Sequence, residues 1–129
     1  MEIHRLKKGD NLIEELEKFV ADKPSGLIIG LGALEQAELK LYLLEEKEYS
    51  QKQIEGPLEI GSFVGVVGKL PDGKMGIHPH AVLSNKNFET FSGHISKGTV
   101  GATFEFCFFA SSNEVERYFD EQIGLNLIK

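Results

Sequence analysis

The sequence predicts an α+β domain: a mainly antiparallel, in part mixed, sheet flanked by one or two helices. Three observations carry this. Only one stretch combines helical periodicity with a clear start and stop. Most of the remainder alternates, or runs apolar, over strand lengths between turn residues. And 129 residues make one ordinary domain with room for a real core. No linker, repeat or low-complexity segment interrupts the chain, so residues 1–129 read as a single domain.

Taken in order, "EIHRL" opens as a strand before Gly9, and His4 is an ordinary strand residue. "DNLIEELEKFVADK" places Leu12, Ile13, Leu16, Phe19 and Val20 on one helical face, with Asp10 as the expected N-cap and Pro24 just past the end. "SGLIIGLG" reads as a buried strand. "ALEQAELKLYLLEE" is rich in helix formers, yet Ala37, Leu39, Leu41 and Leu43 alternate with polar or amphipathic residues, which favours a half-buried strand. "EYSQKQIEGPLEIGSFVGVVGKL" begins polar, is expected to break at Gly56-Pro57, and continues as strand. "LPDGKM" carries a hairpin turn at Asp72-Gly73. "MGIHPHAVLS" returns as a strand, "KNFETFSG" is a turn or short strand, and "TVGATFEFCFFAS" is the most strand-like run in the chain. The tail "NEVERYFDEQIGLNLIK" is expected to add short edge structure.

Composition excludes several functions. The net charge of −6 repels a polyanion, and Lys and Arg are scattered among acids, so direct DNA binding stands only as an alternative that needs basic side chains of several copies of the chain gathered on one face. The N-terminus lacks the apolar core of a signal peptide, and no run approaches the roughly eighteen apolar residues of a membrane span. A cytoplasmic location without membrane contact is the expectation. The single cysteine, Cys107, has no disulfide partner within the chain and reads as a small buried hydrophobe. "GLIIGLGALE" resembles a nucleotide-binding loop, but the third glycine of the fingerprint is replaced by Glu35, and the surrounding βαβ context is missing. No nucleotide is expected; the glycines mark tight strand packing or a bend. No nucleophile elbow or Cys–His pair is present.

Three of the four histidines fall within "MGIHPHAVLSNKNFETFSGH". In a strand, His78 and His80 project to the same side. Pro79 holds His78 extended and, lacking an N–H, places this stretch at a sheet edge or bulge. Two such imidazoles can converge on one ion, and His94, returning from a turn, would complete a three-nitrogen face with a position left for water. Imidazole donors suit zinc first, with other divalent transition metals as options. Against this stands the ordinary reading, in which a His-x-His pair lines a solvent-facing strand and binds nothing.

Glu105 is the only charge in a long apolar run, and Glu59 sits similarly in "GPLEIGSFVG". Either can be a hydrogen-bond acceptor behind a ligand histidine, and Glu105 is also a candidate general base beside a zinc-activated water, as in a small hydrolase or lyase. The alternative is that strand alternation points both to solvent, or to Arg117 or Lys97.

The ordered series "RLKKGDNLIEELEKF", "GLIIGLGAL", "GPLEIGSFVGVVG", "GIHPHAVLS", "FSGHISKGTV" and "TFEFCFF" resembles the plants-and-prokaryotes conserved (PPC) domain family over nearly the whole chain. The resemblance implies a compact α/β domain with a mainly antiparallel sheet, assembling as a homotrimer. It also implies metal ligands at His78, His80 and His94, as in some prokaryotic members, and matches the family's acidic positions to Glu59 and Glu105. Plant members add an AT-hook for DNA, and no Arg-Gly-Arg-Pro element occurs here. What remains is the part that in plants mediates association between subunits and with transcription factors, so the implied role is binding or regulatory, with protein partners. Phe91 and Ser92 depart from the glycine and small apolar residue more typical before the third histidine.

Overall fold

The computed structural model describes residues 1–129 and contains β1 (Ile3–Lys7), α1 (Leu12–Val20), β2 (Gly26–Leu43), β3 (Glu48–Lys69), β4 (Met75–Ser84), β5 (Thr90–Ala110), β6 (Arg117–Asp120) and β7 (Leu125–Ile128). There is one helix, so the second flanking helix allowed by the sequence does not form. The helix formers of residues 33–43 instead continue β2, where pairing to β3 and β5 on both sides overrides local propensity.

The main sheet runs β1-β5-β2-β3-β4, and an additional β5–β4 pairing closes β2 to β5 into a barrel. Every strand pairing in it is antiparallel. The 21-residue β5 makes the closure possible by changing partners along its length. Its Thr90–His94 end lies on β4, and its Thr103–Cys107 end lies on β1.

Inward-facing residues fill the barrel. Phe63 and Phe104 are fully buried and meet edge to face, with ring centroids 5.1 Å apart. Helix α1 contributes Leu12, Leu16 and Val20, all fully buried, each worth about 1.5–3 kcal/mol of hydrophobic stabilisation. Its N-cap is Asn11, whose side chain accepts from the Glu14 N–H, and not Asp10. The Asp10 carboxylate is already engaged, accepting from the Lys7 N–H at 2.8 Å within the preceding turn.

Three further expectations change. Strand β3 passes through Gly56-Pro57 without stopping, because the partner register skips from Leu34–Leu58 to Gln36–Glu55 and the proline sits in the resulting bulge. Cys107 is only half-buried, on the outer face between Ile3 and Ile29. The tail forms no edge strand of the main sheet; β6 and β7 make a separate two-stranded ribbon. In "GLIIGLG", a Cβ on Gly30 would lie 2.6 Å from the Phe104 ring, and one on Gly32 would strike the Thr103 carbonyl. Close approach of β5 therefore accounts for both glycines. No helix is long and apolar enough to cross a membrane.

Candidate metal centre

Strand alternation puts Pro79, Ala81 and Leu83 of β4 toward the core and turns His78 and His80 to the outer face. At Pro79 the strand is paired with Gly65 of β3 and has no partner on its other side. Pairing with β5 begins at the next residue, where His80 stands opposite His94. The missing N–H of proline thus falls where the ladder needs no second donor. Phe91 and Ser92, expected in a turn, lie instead in β5 opposite Leu83 and Val82, and the strand carries His94 into register. Gly93 is the residue that matters there: a Cβ on it would lie 2.9 Å from the Lys40 carbonyl and push β5 off β2.

The result is a cluster in which ring nitrogens of His78, His80 and His94 all lie within 4.8 Å of one another. Nε2 of His78 and Nε2 of His80 are 3.2 Å apart, and the His80 and His94 rings stand perpendicular at 5.9 Å between centroids. Three nitrogens each about 2.0–2.1 Å from a tetrahedral ion stand about 3.3 Å from one another, so the first pair already has the spacing of ligands and the third needs a small rotation. His94 Nδ1 is buried and has no hydrogen-bond partner in the protein. A buried polar atom left without a partner is costly, and an ion or its water is a natural one. The residues present fit a divalent metal.

Electrostatics favour the ligand form. Burial lowers the His78 imidazole from the ordinary 6.5 to about 4, and the neighbouring His94, Arg117 and His80 add to the shift. His94 is lowered too, chiefly by burial, then by His80 and Lys40. Both rings are neutral at pH 7 and available to a metal without first losing a proton.

The structure does not bring the carboxylates to this cluster. Glu105 is eleven residues beyond His94 on β5, on the order of 30 Å along the strand. It is exposed, stands between Arg5 and Leu31, and its carboxylate accepts from Thr103 Oγ1 at 3.0 Å. Within one chain it cannot serve as a base or a hydrogen-bond acceptor for the histidines. Glu59, also exposed, pairs with Ala33 and Ser84 and lines a separate groove with Lys86 and Phe88. Alternation alone turned both outward. Neither acid forms an ion pair with Arg117 or Lys97.

Residues 2–112 match the Plants and Prokaryotes Conserved domain, abbreviated PCC or PPC. The chain belongs to the PCC family. Among solved structures, the PCC chain is similar to a metal-containing protein from Archaeoglobus fulgidus, with 35% identity, a TM-score of 0.89 and coverage of 99% of this chain and 91% of that one. It is also similar to a plant- and prokaryote-conserved protein from Pyrococcus horikoshii, with 27% identity, a TM-score of 0.89 and coverage of 99% and 90%. A third neighbour, provisionally described as DNA-binding, comes from Ralstonia eutropha JMP134, with 25% identity, a TM-score of 0.87 and coverage of 98% and 89%. No curated protein matches significantly.

Two cations beside this PCC site escaped the sequence reading. Lys40 of β2 is the register partner of His94, and Arg117 of β6 lies near enough to His78 for its charge to act on the ring. Alternation in β2 could have marked Lys40 as outward-facing. Nothing in the tail's sequence places Arg117, because the ribbon's docking is purely tertiary.

Proposed function

We propose that this PCC-domain protein holds a divalent metal, zinc by preference, through His78, His80 and His94, and works as a binding or regulatory assembly. The observation that carries the reading is the convergence of three imidazoles from two adjacent strands onto one point. The similarity to a metal-containing relative supports it. Once bound, the ion supplies a Lewis-acidic centre with coordination positions left open. The chain's part is to position its ligands: Pro79 keeps His78 and His80 on one side, and Gly93 lets β5 approach closely enough to present His94. With Glu105 directed elsewhere, the reading of a metallohydrolase with a glutamate base loses its base.

Self-association as a homotrimer belongs to the same proposal. A register row runs across the outer face through Ile3, Cys107, Ile29 and Val64 to His80. Of these, Ile3, Ile29 and Val64 are large apolar side chains exposed by 73%, 44% and 39%. A contiguous apolar row on an outer strand face is what a second copy would cover. DNA binding is not part of the proposal, because a net charge of −6 with cations scattered among acids disfavours contact with a polyanion.

The test is metal analysis of untagged protein beside the His78→Ala, His80→Ala double variant. Close to one zinc per chain is expected in the parent, falling below about 0.1 in the variant. A parent already below that level overturns the metal reading. Light scattering should give about three times 14.3 kDa, and a clean monomer removes the trimer.

A further inference from the structure

The fixed charges that act on the rings of His78 and His94 are of one sign. Imidazole ligands contribute no negative charge, so a divalent ion held by the three histidines would keep its full charge. The charged side chains outside the cluster whose fields act on His78 and His94, Arg117 and Lys40, are also cations. Neither has a carboxylate partner anywhere in the chain. Arg117 donates from Nη1 to the Asn126 carbonyl at 3.0 Å, leaving most of its five N–H donors uncommitted although the residue is half-buried. Lys40 Nζ lies 5.7 Å from the centre of the Tyr49 ring, and that ring lies 6.0 Å from His94.

Glu38 and Asp120, the acids on the same elements as the two cations, are hydrogen-bonded to other groups and form no ion pair with either. Glu38 accepts from Ser96 Oγ at 2.7 Å. Asp120 accepts from the Tyr118 hydroxyl and the Ile123 N–H.

Arg117 is held in place by the way the tail is fastened. At the root of the ribbon the Lys69 N–H donates to the Val115 carbonyl, and Val115 N–H donates to Ser25 Oγ. At its tip the Tyr42 hydroxyl donates to the Ile123 carbonyl, and Lys47 Nζ to the Glu121 carbonyl at 3.0 Å. Lys69 is the partner of Met75, three residues before His78, and Tyr42 is two residues beyond Lys40. The two fastenings therefore bracket the histidine cluster, and the ribbon forms a fixed wall beside it.

We propose that the exchangeable ligand of this site is a small oxyanion, a carboxylate or a phosphate, recognised by the Arg117 guanidinium and the Lys40 ammonium beside the ion. The planar fork of arginine matches two oxygens of such a group, and lysine adds a point charge. This rests on the reading that the histidines hold a divalent metal, and the experiment separates the two.

The full chain is loaded with cobalt(II), whose visible absorption reports its coordination, and the bound cobalt is counted. Sodium acetate and inorganic phosphate are then titrated separately at constant ionic strength. A saturable spectral change with at least one of them is expected, and the tighter of the two identifies the class. Arg117→Gln should weaken that binding about tenfold or more with cobalt content unchanged, and Arg117→Lys should weaken it less. Lys40→Gln, on a different element, should also weaken it and covers the case in which the ribbon variant misfolds. Cobalt bound at one per chain with no saturable anion response overturns this inference alone, as does an affinity unmoved by both Arg117→Gln and Lys40→Gln. Failure to bind cobalt overturns the metal reading and this one with it.

Discussion

The two ends of β5 belong to one strand and do different work. At the Thr90–His94 end the strand lies on β4, and its outward side chain His94 enters a cluster of three nitrogen donors. At the Thr103–Cys107 end it lies on β1, and its outward side chains are Glu105 in solvent and Cys107 within an apolar row. Both ends obey the same alternation, yet only the first gathers groups from neighbouring strands onto one point. The difference lies in which partner arrives opposite: His80 faces His94, whereas Arg5 and Leu31 face Glu105. Chemistry in this barrel is decided by cross-strand register, and a lone charge in an apolar run is no sign of it.

The comparison can be broken in three places. The largest expected effect is at the apolar end: Phe104→Ala removes a fully buried ring packed on Phe63 and should cost about 3–5 kcal/mol in urea unfolding. A cost under about 1 kcal/mol would mean the barrel interior collapses around the loss.

An intermediate effect is expected at the histidine end, from pH. The unfolded chain takes up a proton on His78 at the ordinary 6.5, whereas the folded chain resists until about 4. The unfolded state therefore binds more protons across this window, and the metal-free protein should lose stability as pH falls from 6.5 to 4. The lowered His94 acts in the same direction. Urea midpoints at several pH values check this, with His78→Ala flattening the slope; a parent that gains stability on acidification in this window contradicts it.

The smallest effect is at Glu105. Glu105→Gln should leave stability within about 0.5 kcal/mol of the parent and metal content unchanged. Lost metal in that variant would show that the acid reaches the histidines from another subunit.

The position of α1, the Asp72-Gly73 hairpin and the strand character of β2, β4 and the second half of β5 were legible in the sequence, because periodicity and turn chemistry are local. The continuous β3 was not, since the bulge that absorbs Pro57 depends on how many residues β2 places opposite it. For the site, His78 and His80 could be paired from alternation and Pro79 alone. His94 could be offered as a third donor and was matched by the family resemblance, but its place depends on the register of β4 against β5.

By itself, then, the sequence determined that one side of "GIHPHAV" would present two imidazoles at a strand edge, and that the acidic composition would disfavour a nucleic-acid partner. Tertiary structure decided everything requiring a neighbour: that His94 meets the pair, that Glu59 and Glu105 do not, and that the C-terminal ribbon sets Arg117 beside His78. The physical reason is range. Backbone alternation and turn geometry are dictated within a few residues, whereas a site of three donors and two cations needs strands β2, β4 and β5 and the ribbon brought together by barrel closure.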